Sequence, residues 1–507
     1  MNSYLMFFIA LLPILWLMTS LGVLKLPAHK ACSIALAVTF GLAVLVWKMP
    51  FGAATSAAVE GALIGLWPIM IVIIAAIFTY NLALHTKSMD VIKKMLSGIS
   101  TDRRIQVLIL AWGFGGFLES VAGYGTAVAI PASILASLGF DPLFAAVICL
   151  IANTVPTAFG AVGIPVTTLA KVTDLNVMIL SSEIGIQLAL FIVIIPFILV
   201  AMTSKGFSGL KGVLGITLAS GLSFALPQVL AARYIGAELP ALLGSICSMA
   251  VTIGMAKLFH KDKTSSEESV ISFKQGYMAW LPYILIFVFI IGTSPLLPNV
   301  NHLAGAVKSS FTIYQGEGAK ATSFKWLATP GTLILIATFI GGIIQGAKFS
   351  EILDVLVKTA KQLTKSTITV VSIVAMAKIM GYSGMITSIA VVMVQITGKY
   401  YPLIAPLIGM LGTFVTGSDT SSNILFGELQ KQVAGNIGAS PYWLAAANTS
   451  GATAGKMISP QSIAVATSAT GLVGLEGKIF NQTLKFCMVY VLALGILVYF
   501  GGWLAAI

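Results

Sequence analysis

Residues 103–140 read RRIQVLILAWGFGGFLESVAGYGTAVAIPASILASLGF. Both ends are apolar, and the middle gathers Gly113, Gly115, Gly116, Gly123 and Gly125 around a single acid, Glu119. Irregular backbone at membrane depth survives only when it is buried in protein or lines a wet cavity, because lipid offers it no hydrogen-bond partners. The stretch therefore reads as a re-entrant hairpin, entering and leaving the membrane on one side with a polar tip. The next run, 141–170, is apolar but interrupted by Asn153, Thr154, Gly160 and Pro165, and reads as a broken membrane helix.

The same pattern recurs about 300 residues later. Residues 400–440 contain TFVTGSDTSSN, too polar to face lipid, and form a second expected hairpin; 441–470 form a second broken helix. Ala152-Asn153-Thr154 matches Ala447-Asn448-Thr449, Gly160 matches Gly455, and Pro165 matches Pro460. Upstream, Phe117 aligns with Phe414 and Pro142 with Pro441. Glycine- and threonine-rich helix-packing surfaces also resemble one another by composition, but they do not repeat Asn-Thr, Gly and Pro at fixed offsets. Charge parity places the bases of the two hairpins on opposite sides. The repeats are thus expected to be inverted, a recurring plan of secondary transporters in which broken helices meet at the midplane.

Outside these segments the chain is membrane-like throughout. Of its 507 residues 58% are hydrophobic and 9% charged, where a soluble protein carries roughly a quarter charged. Apolar runs near 4–24, 31–47, 61–80, 178–203, 208–229, 239–258, 277–293, 331–347, 366–382 and 481–505, with the two broken helices, make about 12 spans of bilayer-crossing length. The alternation of a transmembrane β-barrel is absent, so the fold class is an all-α polytopic membrane protein. The formal charge of +12 reflects basic connections that set topology by the positive-inside rule, not nucleic-acid binding. Lys25, Lys30, the segment 81–104, Lys205, Lys211 and the loop 257–274 fall inside, whereas 48–60 and 294–330 fall outside. Basic residues follow the first apolar stretch, the reverse of a secretory signal, so it reads as an uncleaved helix. The expected organisation is N-terminal scaffold helices over 1–60, repeat 1 over 61–203, linking helices over 204–357 and repeat 2 over 358–507.

A small carboxylate inside a membrane needs donors and positive potential, which hairpin tips and broken helices supply through free N–H groups and helix dipoles. Candidate lining residues are Ser120, Tyr124, Thr126, Asn153 and Thr154 in one repeat, and Thr420, Ser421, Ser422, Asn423, Asn448 and Thr449 in the other. These groups could equally satisfy one another and the broken backbone. Acids at membrane depth are costly and are paired, protonated or functional, so Glu119 and Asp419 are the candidates for proton coupling, alternatively structural partners of a cation. Lys456 is the candidate fixed charge for a substrate carboxylate, or the neutraliser of one of those acids. Lys171 with Asp174, and Lys378, read as residues at span ends reaching toward headgroups; Glu60, Glu183 and Glu428 are weaker candidates, of which Glu428 could face the pocket.

Cys32, Cys149, Cys247 and Cys487 are scattered singly, without metal or disulfide spacing. His29, His85, His260 and His302 fall in connections or at span ends, which disfavours b-type haem. No GxxxxGK[ST] loop occurs. No cofactor and no enzyme chemistry are expected.

The motifs GFGGFLESVAGYGTAVAIPA, ANTVPTAFGAVGIPV, TGSDTSSNILFGELQ and ANTSGATAGKMISPQSIAVA closely resemble those of the L-lactate permease family, which includes glycolate permeases, and the resemblance covers essentially the whole chain. It implies proton symport of L-lactate, with D-lactate and glycolate, across the bacterial inner membrane. It also implies an ion-transporter-superfamily fold with a hairpin in each repeat, working as a homodimer with an elevator movement. Two alternatives stay open: a sodium-coupled carboxylate carrier using the Ser-Asp-Thr-Ser-Ser-Asn tip, and a non-transporting membrane-embedded enzyme subunit.

Overall fold

The structure is a computed structural model and describes residues 3–24, 26–97, 99–123, 125–204, 206–259, 272–294, 296–472 and 475–502. Tyr124, Lys25, Lys205, His260 and most of the loop 257–274 lie outside the described residues.

Twelve helical stretches among the described residues are long and apolar enough to cross a membrane. Their membership differs from the sequence expectation. The run at 331–347 is a helix of 15 residues, Pro330–Ile344, and the arms Arg103–Val121 and Met385–Thr416 take places among the twelve. The segment 48–60 is not a connection. A helix begins at Phe51, behind Pro50, and continues to His85 with an interruption at Trp67 before Pro68. The expected boundary at 60/61 therefore falls inside the helix Phe51–Ile64, and that at 357/358 inside Phe349–Gln362. The loop 294–330, expected outside, departs from an all-α description. It contains a short helix, Pro298–Ala306, and an antiparallel pair of strands, β1 (Lys308–Phe311) and β2 (Thr322–Lys325).

Both expected hairpins are helix–break–helix units. In the first, Arg103–Val121 ends at Ala122 and Thr126–Ser137 starts beyond Gly125. In the second, Tyr401–Thr416 stops at Gly417 and Asp419–Ile437 starts beyond Ser418. Gly417 takes φ +73°, the left-handed geometry that closes a helix and favours glycine. Ser418 then caps the next helix, its hydroxyl accepting from the Ser421 N–H at 3.2 Å.

The broken helices are also present. Pro142–Ala152 runs into a tight turn, Val155–Phe159, and resumes at Gly160–Thr173; its partner is Pro441–Ile458 followed by Pro460–Thr470. The second break sits at Ser459, which the following proline holds in extended backbone. The first is sharper. Ala161 and Val162 adopt φ of +43° and +58°, uncommon for side-chain-bearing residues and concentrated at functional sites.

The four units interlock reciprocally. The outgoing arm of the first hairpin packs on Pro460–Thr470 of the second broken helix, and that of the second hairpin on Gly160–Thr173 of the first. Tyr401–Thr416 lies against Pro441–Ile458, and their backbones meet where Gly409, Gly451 and Gly455 face carbonyls of the opposite helix, the small-residue contact that lets membrane helices approach closely. Around this core, Ala28–Leu45 and Phe51–Ile64 pack on Thr364–Ser383, and Val177–Thr203 packs with Leu214–Tyr234.

Candidate functional site

The breaks of all four units converge on one cavity of about 70 Å³, several times the roughly 10–15 Å³ that one water molecule needs. Glu119 and Gly123 come from the first hairpin, Gly417, Ser418, Asp419 and Thr420 from the second. Thr157, Gly160, Ala161, Ile164 and Pro165 come from the first broken helix and Lys456 and Gln461 from the second, with Ile73 completing the wall. Two helices, Asp419–Ile437 and Pro460–Thr470, begin beside it, so their amino termini bring positive dipole ends to the space.

Three charged side chains dominate. Glu119 and Asp419 are each 3% exposed. Glu119 Oε2 and both Asp419 carboxylate oxygens have no hydrogen-bond partner. Lys456 is buried, its Nζ donates to the Gly417 carbonyl at 3.2 Å, and its charge acts on both acids without a direct ion pair to either. Asn153 lies beside Glu119, close enough for its amide to act on that carboxylate, and no hydrogen bond of ordinary length joins either amide atom to a partner. Unpaired polar atoms in a buried site are rare and mark a place built for something other than itself.

The remaining hydroxyl and amide candidates divide. Thr420 lines the cavity. Ser120 donates to the Phe117 carbonyl (2.7 Å), Thr126 to Gly123 (2.8 Å), Thr154 to Leu150 (3.4 Å) and Ser422 to Gly409 (2.7 Å), all backbone groups. Ser421 contributes its N–H to the Ser418 cap. Asn423, Asn448 and Thr449 form one network behind the wall. Asn423 Oδ1 accepts from Asn448 Nδ2 and from Thr449 Oγ1, each at 2.9 Å. Its Nδ2 donates to the Pro165 carbonyl at 3.1 Å, tying the second hairpin to the first broken helix.

Sequence reading named Ser418 only within the tip of the sodium-coupled alternative, and missed Thr157 and Gln461. A usable signal existed for the last. Pro460 occupies the first turn of a helix beginning at a break, which directs the next side chain to the same gap.

Lys378 does not reach for headgroups, as expected of a span-end lysine. Its ammonium lies 3.0 Å from Glu60, whose residue is 1% exposed, and Tyr382 donates to the same carboxylate at 3.0 Å. Burial of the acid at that depth requires such a partner. Lys171, Asp174 and Glu428 line a second cavity, of about 460 Å³. Glu428 thus faces a different space from Glu119. Asp174 lies between two spans, and its hydrogen bond from the Lys320 ammonium, at 2.7 Å, holds its carboxyl below the usual aspartate range. Glu183 sits on Val177–Thr203 away from both cavities. Among the described residues no group of three His, Cys, Asp or Glu side chains is placed to hold a metal ion.

Known proteins supply an independent test. The sequence pattern of the L-lactate permease family matches residues 6–504. An L-lactate permease of Streptococcus iniae is 54% identical, the match covering 86% of this chain and 93% of the relative. A glycolate permease of Escherichia coli strain K12 is 36% identical (96% and 94%), and an L-lactate permease of Bacillus subtilis 35% (97% and 94%). The relatives are permeases, transporters and not enzymes. A match of that length, across both hairpins and both broken helices, makes this multi-pass membrane protein a member of the L-lactate permease family.

Proposed function

We propose that the protein carries L-lactate, and with it D-lactate and glycolate, together with protons across the bacterial inner membrane. The substrate class follows from the relatives, which are named L-lactate and glycolate permeases. One observation carries the coupling: two buried carboxylates and one lysine share a small cavity, and three of the four carboxylate oxygens have no hydrogen-bond partner.

The charge count explains why a proton must accompany the substrate. With both acids ionised the site carries two negative charges against one positive, so a monocarboxylate would enter a net negative, poorly solvated space. Buried charges of one sign repel strongly at short range. A proton on Glu119 or Asp419 brings the empty site to neutrality, so the incoming carboxylate approaches Lys456 against no net negative charge. Release on the far side reverses both steps. Coupling then arises because the anion and the proton stabilise each other's binding.

Glu119 is the preferred proton carrier, since it lies beside the amide of Asn153 and against Gly160, at the sharper break. The inverted arrangement of the repeats, with the hairpins and broken helices as a moving core, accords with their reciprocal packing. Sodium coupling through the second tip is disfavoured because Ser422 and Asn423 are spent on internal hydrogen bonds.

Glu119→Gln and Asp419→Asn, reconstituted in proteoliposomes, test the assignment. A proton-carrier variant loses pH-driven accumulation of L-lactate while retaining lactate–lactate exchange. Full pH-driven accumulation in both variants would refute the coupling role.

A further inference from the structure

The second cavity is larger than the first and is lined by Lys171, Lys320, Lys378 and Lys431 against Glu60, Asp174 and Glu428. Three of the lysines are spoken for: Lys378 by Glu60 at 3.0 Å, Lys320 by Asp174 at 2.7 Å and Lys431 by Glu428 at 3.6 Å. Lys431 also donates to the Thr173 carbonyl at 2.5 Å. Lys171 is left over. Among the described residues it has no hydrogen bond and no ion pair, and the acid whose charge reaches it, Asp174, is already engaged. Lys171 is exposed, and it lines this cavity.

The position of the cavity gives the unmatched charge a purpose. Both cavities are lined by the same two packed helices. On Gly160–Thr173, Ile164 and Pro165 face the first and Lys171 the second; on Asp419–Ile437, Thr420 faces the first and Ile424 and Glu428 the second. Seven residues from Ile164 to Lys171 are about 10 Å of helix rise. The two spaces are therefore neighbours along one path, with Ile424 bordering the larger.

The roof comes from the loop expected outside. Gly318, Lys320 and Ala321, ahead of β2, face the cavity. This strap is fastened on two sides: Tyr314 stacks on Tyr382 with ring centroids 3.7 Å apart, and Lys320 pairs with Asp174. The result is a roofed, water-accessible chamber with one unspent positive charge, next to the cavity holding Glu119 and Asp419.

We propose that this chamber is a second binding site, for a small monocarboxylate, with Lys171 as its fixed charge. The anion rests there before passing to the inner cavity. The identity of the anion rests on the transport reading above; the charge-selective site itself does not. An anion held there lies within a Debye length of Lys171 even at physiological ionic strength, whereas the paired lysines are largely cancelled by their partners. Lys171 thus raises the local concentration of substrate without taking part in the inner site's proton exchange.

Two arms keep the site and the transport reading separable. First, a cysteine is placed at Ala321, which is exposed and lines the chamber, with Thr322→Cys as a second reporter. In detergent, its reaction with an anionic sulfonate-bearing thiosulfonate is compared with that of a neutral methyl thiosulfonate, and the unsubstituted protein gives the background from native cysteines. At low salt Lys171→Gln lowers the anionic-to-neutral rate ratio about threefold, the attraction of unit charges roughly 6 Å apart in water. L-Lactate slows the anionic labelling more than chloride at equal ionic strength, and only when Lys171 is present; lactamide has no such effect. A ratio indifferent to Lys171→Gln, or lactate protection no greater than that of chloride, overturns the proposal.

Second, in proteoliposomes Lys171→Gln raises the KM for L-lactate several-fold with kcat within twofold, and Lys171→Arg behaves as wild type. An unchanged KM overturns the proposed role in loading. Wild-type protein that shows charge-selective, lactate-protected labelling but carries no lactate would refute the transport reading and leave the site standing.

Discussion

Gly160→Ala probes the placement of Glu119 without removing its carboxyl group. Gly160 has φ −65° and ψ 159°, backbone geometry open to alanine, so a change in behaviour must come from contact. A Cβ at this position would lie 2.7 Å from Glu119 Oε1, 3.3 Å from its Cγ and 3.4 Å from its Cδ. Carbon contacts settle near 3.5–4.0 Å, so the side chain must retreat by roughly 0.5–1 Å. Glu119 is 3% exposed, with Phe117, Leu118 and Ser120 all buried around it, leaving little room. Overpacking of this kind costs about 1–3 kcal/mol. If the penalty falls on the state in which Glu119 faces the cavity, pH-driven uptake of L-lactate drops about five- to hundredfold, at 1.36 kcal/mol per tenfold. Initial uptake rates in proteoliposomes, alongside thermal unfolding in detergent, separate a transport defect from a folding one. Gly254→Ala is the control, because no atom lies within 4 Å of its added Cβ and no loss is expected. Uptake by Gly160→Ala within twofold of wild type would refute the tight placement of Glu119 against the broken helix.

Three further outcomes follow from particular contacts. Glu60→Gln leaves Lys378 without its partner and destabilises the protein by about 3 kcal/mol, while Glu60→Gln with Lys378→Met recovers most of the loss; thermal midpoints of the four proteins decide, and additive effects would contradict a direct pair. Asn423→Ala removes the acceptor of Thr449 Oγ1, one of the bonds of Asn448 and the donor to the Pro165 carbonyl, and an orphaned buried group costs about 1–3 kcal/mol, so the midpoint falls; an unchanged midpoint would show that the network is dispensable. Because Asp174 is held below its ordinary range by Lys320, the stabilisation it gives the strap is complete above the unfolded aspartate pKa and fades as pH falls through the lower folded value. Hydrogen-exchange protection of residues 312–325 should therefore hold from neutral pH down to the ordinary aspartate pKa and decline progressively as pH falls from there through the lower folded value. In Lys320→Met the acid-side step disappears, and an identical profile in that variant would contradict the pair's role.

The parts of the fold legible in sequence were those where the backbone must break. Glycine, proline and short polar residues cannot sit in a lipid-facing helix without a reason, so the hairpins and broken helices announced themselves, as did Glu119, Asp419, Thr420 and Lys456 at their convergence. Hydroxyl and amide residues were harder to assign because Ser422, Asn423 or Thr154 can line a cavity or close an internal hydrogen bond with the same chemistry, and only geometry chooses. Long-range pairing was not readable at all. Nothing in the segment around Lys378 points to Glu60, more than 300 residues earlier in the chain. The helix Met385–Thr397 passed unnoticed because it adjoins the preceding span with only Gly384 between them, and strands β1 and β2 because a four-residue run carries almost no periodic signal.

Uptake of L-lactate by proteoliposomes containing the purified protein alone, with the pH gradient and the Na⁺ gradient imposed independently, tests the account most directly. Proton symport predicts uphill accumulation driven by an inwardly directed proton gradient, acidic outside, in the absence of Na⁺, abolished by a protonophore. Accumulation that requires Na⁺ and ignores the pH gradient, or no accumulation under either, would contradict it.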